Sequence, residues 1–329
     1  MAQDQMVPVT ILTGFLGAGK TTLLNRILRE HHGRRIAVIE NEFGEAGIDS
    51  DLLLQERGEQ IVEMNNGCLC CTVRGDLVRI LGELKSKRET GELAFERVII
   101  ETTGMADPGP VAQTFFMDEA IGEYYLLDSV ITVVDAKHAP KQLDDFTEAQ
   151  EQVGFADRIL LSKTDLVTDE DADALKRRLA QMNPRAPVKP VHFGQTPIAD
   201  ILDIRGFNLN AILELEPDFL AEDHHHHDDA VQSFVFRAAR PLDGVKLEEF
   251  LSSMIQVYGA DLLRYKGVLA LRDNPHRVVF QGVHMLMGGD LGRPWGADEP
   301  RESVMVFIGR NLPKDVFLQG LEQCLVKVQ

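Results

Sequence analysis

Near the start of the chain, Gly14-Phe15-Leu16-Gly17-Ala18-Gly19-Lys20-Thr21 fits GxxxxGK[ST], and no other stretch restricts the fold as much. An apolar run at 7–12 precedes it, and Thr21-Thr22-Leu23-Leu24 opens a helical pattern after it, so the motif joins a strand to a helix. Glycines let main-chain N–H groups close around phosphates, and the helix N-terminus adds the positive end of its dipole. Gly14, Phe15, Leu16, Gly17, Ala18, Gly19, Lys20, Thr21 and Thr22 are therefore the candidate nucleotide-binding residues. Lys20 would contact the β and γ phosphates, and Thr21 would ligate Mg²⁺.

The rest of the chain follows the same rhythm. Apolar runs at 7–12, 35–39, 98–100, 130–134 and 159–161 alternate with helical patterns at 21–29, 77–84 and 169–181. That order predicts an α/β class: a P-loop NTPase parallel sheet with helices on both faces. The expected first domain is 1–213. An acidic linker at 214–230 contains the four consecutive histidines His224, His225, His226 and His227. A smaller C-terminal α+β domain is expected at 231–329, with strands at 233–239, 263–271, 277–283 and 304–308 and helices at 247–257 and 314–325.

A P-loop enzyme needs an acid at the end of a neighbouring strand to hold the magnesium hydration shell, and Val98-Ile99-Ile100-Glu101 supplies it. Glu101 is followed by Thr102-Thr103-Gly104, where Gly104 would turn its N–H toward the γ phosphate as a switch does. Ser162-Lys163-Thr164-Asp165 ends another strand in the form [NST]KxD. A carboxylate at Asp165 accepts both the N1 proton and the exocyclic amine of guanine, donors that adenine does not offer, while Lys163 would lie along the base. GTP is thus favoured over ATP.

Asn66-Gly67-Cys68-Leu69-Cys70-Cys71 places three of the four cysteines within four positions, a poor framework for disulfides and a good source of soft thiolate ligands. Glu40-Asn41-Glu42-Phe43-Gly44-Glu45 follows the second apolar run, where P-loop GTPases carry their first switch, so Glu40 or Glu45 could complete a mixed sulfur and carboxylate site. The formal net charge of -18 repels phosphate backbones and anionic lipid heads, so neither nucleic acid nor membrane is an expected partner. No basic, apolar leader and no membrane-length apolar run is present, and the expected location is cytoplasmic.

Taken in order, GFLGAGKTT, IENEFGE, NGCLCC, ETTGMADP and SKTD resemble the CobW-type metallochaperone GTPases, most of all the YjiA-like branch. The likeness continues through Leu262-Leu263-Arg264-Tyr265-Lys266-Gly267, Phe280-Gln281-Gly282-Val283 and Arg293-Pro294-Trp295-Gly296, and so covers nearly the whole chain. The resemblance implies hydrolysis of GTP to GDP and phosphate, with Zn²⁺ or Co²⁺ bound near the switches and delivered to a client metalloprotein; with no obvious counterpart of a water-positioning Gln in the sequence, slow intrinsic turnover is expected. It implies internal metal ligands Glu40, Glu45 and Cys70, with Cys68 and Cys71 as alternates. Asp49 falls in the first switch, in a place to orient the attacking water or steady Mg²⁺, beside Lys20 and Glu101 as the catalytic set.

The histidine run at His224 to His227 suits a secondary metal site, as neutral imidazoles bind zinc, nickel and copper. A homodimer is compatible with these features. Two rivals make different predictions. A P-loop ATPase or kinase with structural cysteines would prefer ATP and ignore Cys70→Ala. A passive metal store would bind metal without nucleotide turnover.

Overall fold

The computed structural model describes residues 6–30, 33–41, 60–64, 73–206, 229–296 and 299–327. Glu45, Asp49, Cys68, Cys70, Cys71 and His224 to His227 lie outside the described residues. Contacts divide the chain into two units, one of residues 1–180 with 185–206, the other of residues 181–184 with 207–329.

In the first unit, seven strands form one parallel sheet in the order β3-β2-β4-β1-β5-β6-β7. They are β1 (Val7–Thr13), β2 (Ile36–Asn41), β3 (Gln60–Met64), β4 (Arg97–Glu101), β5 (Tyr125–Asp135), β6 (Arg158–Ser162) and β7 (Val188–Val191). The helices between them are α1 (Lys20–Arg29), α2 (Val73–Glu89), α3 (Gly109–Met117), α4 (Glu119–Gly122), α5 (Ala139–Asp145), α6 (Thr147–Phe155) and α7 (Asp169–Met182). Successive residues of β1, such as Val9, Thr10, Ile11 and Leu12, are all buried, which a strand achieves only when helices cover both faces of its sheet. On one face Leu23, Leu24 and Ile27 of α1 pack with Leu12, Val38, Ile99, Ile131 and Leu160. A parallel sheet of this kind opens its ligand crevice beyond the carboxyl ends of the strands, where Thr13, Glu40, Glu101, Asp135 and Ser162 all stand.

The second unit is an antiparallel sheet of order β11-β10-β9-β12-β8. Its elements are β8 (Val231–Ala238), α8 (Gly244–Tyr258), β9 (Leu262–Leu269), β10 (His276–Val283), β11 (Leu286–Pro294), β12 (Ser303–Arg310) and α9 (Lys314–Gln323). Phe234, Tyr265, Phe280 and Phe307 of the sheet form one core with Leu251 of α8 and Phe317 and Leu321 of α9. Two of the sequence stretches noted above meet here, for Tyr265 pairs with Gly282 across β9 and β10. A Cβ at Gly282 would fall 1.9 Å from Cζ of the Tyr265 ring, so FQGV is shaped around RYKG.

Sequence patterning missed β3, β7, β11, α3, α4, α5 and α6. β7 and β11 are sheet edges; β7 contains Pro190 and β11 reads Leu286-Met287-Gly288-Gly289, so neither shows the apolar alternation of an interior strand. The expected helix at 77–84 is longer, Val73–Glu89, and the strand at 130–134 begins earlier, at Tyr125.

Candidate functional site

The P-loop runs from the end of β1 to the start of α1. Gly14 has φ 142, and a Cβ there would lie 2.3 Å from the Val133 carbonyl oxygen of β5, so both conformation and space demand glycine. Gly19 caps α1 at φ 105. Lys20 is buried, and its Nζ bends back to donate to the Gly14 carbonyl at 2.8 Å and to that of Phe15 at 3.5 Å. The ammonium is thereby held against the loop that is the candidate phosphate cradle.

β4 lies beside β1 with Leu12 opposite Glu101, which carries Glu101 to the edge of the cradle. Thr21 Oγ1 donates to Glu101 Oε1 at 3.1 Å. A hydroxyl and a carboxylate in contact are both hard oxygen donors, the chemistry that would suit a magnesium ion. The loop after β4 is tied to the end of β1, just before the P-loop: Thr102 N donates to Leu12 O at 2.9 Å, and Thr102 Oγ1 to Thr13 Oγ1 at 2.8 Å. Gly104 then packs directly on Leu16, for a Cβ there would sit 2.7 Å from the Leu16 nitrogen.

On the other flank, Ser162 Oγ donates to Ala18 O at 2.7 Å. Lys163, in the left-handed region at φ 56, donates from Nζ to Gly17 O at 2.7 Å and to Asp135 Oδ2 at 2.6 Å. Its alkyl stem thus spans from the SKTD turn to the P-loop. Asp165 follows on a short 3-10 turn, Thr164–Leu166, with its carboxylate 41% exposed and open to a ligand; His192 Nδ1 stands 3.8 Å away.

Asp135 was not singled out in the sequence, although an acid ending the apolar run at 130–134 was a usable signal. Burial opposes its ionisation, but hydrogen bonds from Lys163 and His138 outweigh that and hold its carboxyl below the usual aspartate range. His138 donates from Nδ1 to Asp135 Oδ2 at 2.8 Å.

Of the zinc candidates only Glu40 is described. It is buried at the end of β2 and stands opposite Glu101 in the β2–β4 register. Parallel neighbours in register project to the same face, so the first acid of the metal candidates adjoins the magnesium candidate. Among the described residues no group of three or more His, Cys, Asp or Glu gathers to hold a metal ion. Among them, too, no helix is long and apolar enough to cross a membrane.

Comparisons with known proteins bear on the family of the chain. The CobW/HypB/UreG nucleotide-binding domain matches residues 8–190, and the cobalamin synthesis protein CobW C-terminal domain matches residues 231–325. The zinc chaperone YjiA of Escherichia coli is 45% identical, over 94% of this chain and 96% of its own. The zinc chaperone CobW of Pseudomonas aeruginosa is 36% identical, over 97% and 92% respectively. The crystal structure of Zn(II)-bound YjiA GTPase from E. coli superposes with a TM-score of 0.82 at 40% identity, covering 98% of this chain and 99% of that one. With both domain models matched in order and relatives aligned along nearly its whole length, the chain belongs to the CobW family.

Proposed function

We propose that this protein is a GTP-hydrolysing metallochaperone that binds zinc and couples its nucleotide state to transfer of the metal to a client protein. The observation that carries the nucleotide part is the contact of Thr21 with Glu101 beside Lys20, with Lys163 strung from the SKTD turn to Gly17. Full-length similarity to a protein named a zinc chaperone and to a structure titled as a Zn(II)-bound GTPase carries the metal part.

Gly14 to Thr22 wrap the phosphates of GTP, and Lys20 swings from the Gly14 carbonyl to the β and γ phosphates. Thr21 and Glu101 hold Mg²⁺, which when bound neutralises charge on the phosphate oxygens. Gly104 presents its N–H to the γ phosphate. Asp165 accepts the two guanine protons, and Asp135 keeps the Lys163 ammonium in line with the base plane. Asp49 aligns the attacking water. Zinc, the cargo, is taken by Glu40, Glu45 and Cys70, Cys68 and Cys71 being the alternate candidates for the thiolate position, and His224 to His227 collect metal for it. Because Glu40 and Glu101 are strand neighbours, a shift at the γ phosphate reaches the zinc site through one pair of hydrogen-bonded strands.

The test is phosphate release from GTP and ATP by the purified chain. The expected result is slow turnover with GTP preferred by at least tenfold and lost in Lys20→Ala. Equal or better turnover of ATP would overturn the reading.

A further inference from the structure

Gln152 of α6 is 1% exposed, and none of the roles above uses it. Its side-chain Nε2 donates to two main-chain carbonyls of the loop after β4, Gly104 O at 3.2 Å and Ala106 O at 3.1 Å. That loop closes on itself through Ala106 N and Thr103 O at 3.1 Å, so one buried amide holds two carbonyls of a single tight turn. Two acceptors facing one group require a donor with two protons, which a primary amide provides and a carboxylate does not.

The other end of Gln152 is equally fixed. Its own carbonyl accepts from Thr132 Oγ1 of β5 at 2.6 Å. The next residue of β5, Val133, is the one whose carbonyl backs Gly14. A rigid line therefore runs from the P-loop floor through β5 and Gln152 to the turn that carries Gly104. The turn also rests on the P-loop through Gly104 against Leu16.

We infer that Gln152 is a positioning residue for GTP hydrolysis: its amide fixes the Gly104–Ala106 turn so that the Gly104 N–H faces the γ phosphate. The inference rests on the GTPase reading and deepens it. Gln152 touches no nucleotide itself. GDP, which lacks the γ phosphate, does not sense the turn, so Gln152 separates GTP from GDP and leaves nucleotide capture alone.

The experiment compares the full-length wild type with Gln152→Met, which keeps length and apolar packing but has no donor, and with Gln152→Glu. Turnover is measured together with the affinities for fluorescent GDP and for a non-hydrolysable GTP analogue. For Gln152→Met, kcat should fall about tenfold, in line with two lost hydrogen bonds, and the affinity ratio of analogue to GDP about fivefold. GDP affinity should stay within about twofold of wild type. Gln152→Glu should be worse at pH 8 and recover partly toward pH 6, because only the protonated acid can donate. Wild-type kcat and analogue-to-GDP ratio in Gln152→Met would overturn the inference, as would an equal loss of GDP and analogue binding accompanied by a lowered melting temperature. Absence of GTP turnover in the wild type would instead sink the underlying GTPase reading.

Discussion

Adding one methyl group at Gly104 tests the proposed phosphate-sensing turn. The backbone there does not have positive φ, so Gly104→Ala acts through space alone. The new Cβ would lie 2.6 Å from Leu16 Cδ2, 2.7 Å from its nitrogen and 2.8 Å from its Cα. The leucine side chain can rotate away, being 57% exposed, but the P-loop backbone cannot. Restoring an ordinary 3.4 Å contact with the nitrogen moves the turn away by roughly 0.7 Å. Misplacing a group that aligns the reacting centre by 1 Å lowers rates about a hundredfold, so a withdrawal of this size should lower kcat about 30-fold, or about 2 kcal/mol of transition-state stabilisation. Phosphate-release kinetics for the rate and a fluorescent-GDP titration for binding separate the two states, with GDP affinity expected to change by less than about threefold. Turnover equal to wild type would refute the placement of Gly104 at the γ phosphate. A matching loss of GDP binding would show instead that the methyl distorts the whole P-loop.

Three further outcomes follow from the geometry. Asp165→Asn should exchange guanine preference for xanthine preference, since an amide donates where the carboxylate accepted; competition of xanthosine and guanosine diphosphates reads the change, and unchanged guanine preference would remove Asp165 from the base site. The Asp135 carboxyl titrates below its ordinary range, so its stabilising contacts with Lys163 and His138 are fully present above about pH 4 and fade only as the pH falls further. The stability gap between wild type and Asp135→Asn, measured by denaturant unfolding, should therefore be flat from pH 7 to 5 and shrink below 4; a gap that opened only in acid would contradict this. Gly282→Ala drives a methyl group into the Tyr265 ring and should destabilise the second unit by about 3 kcal/mol, while GDP binding by the first unit persists; a melting profile like wild type would refute the overpacking.

Where a candidate site is written in contiguous residues, its place in the fold is legible in the sequence. Gly14 to Thr21, Glu101 and Ser162 to Asp165 each end or follow an interior strand, and interior strands of a parallel sheet are short apolar runs that stand out by themselves. β7 and β11 escaped because edge strands tolerate proline and glycine and need no second apolar face. Asp135 was hidden in plain view at the end of such a run, its role evident only when Lys163, 28 residues on, arrives beside it. Gln152 gave no signal at all. Its partners lie 48 and 46 residues earlier in the chain, and a buried glutamine in a nine-residue helix has no local pattern. Glu40 was recognisable from its family motif, but its pairing with Glu101 belongs to sheet register, which sequence spacing does not encode.

The coupling of zinc to the nucleotide is tested most directly by zinc affinity in the nucleotide-free, GDP-bound and GTP-analogue-bound protein, measured alongside GTP turnover with and without zinc, for wild type and Cys70→Ala. The expected result is a zinc affinity that differs about fivefold or more between the GDP and GTP-analogue states, mirrored by a reciprocal effect of zinc on nucleotide binding. Cys70→Ala should erase both effects and leave basal GTP turnover in place. Identical zinc affinity in all three nucleotide states would contradict the account.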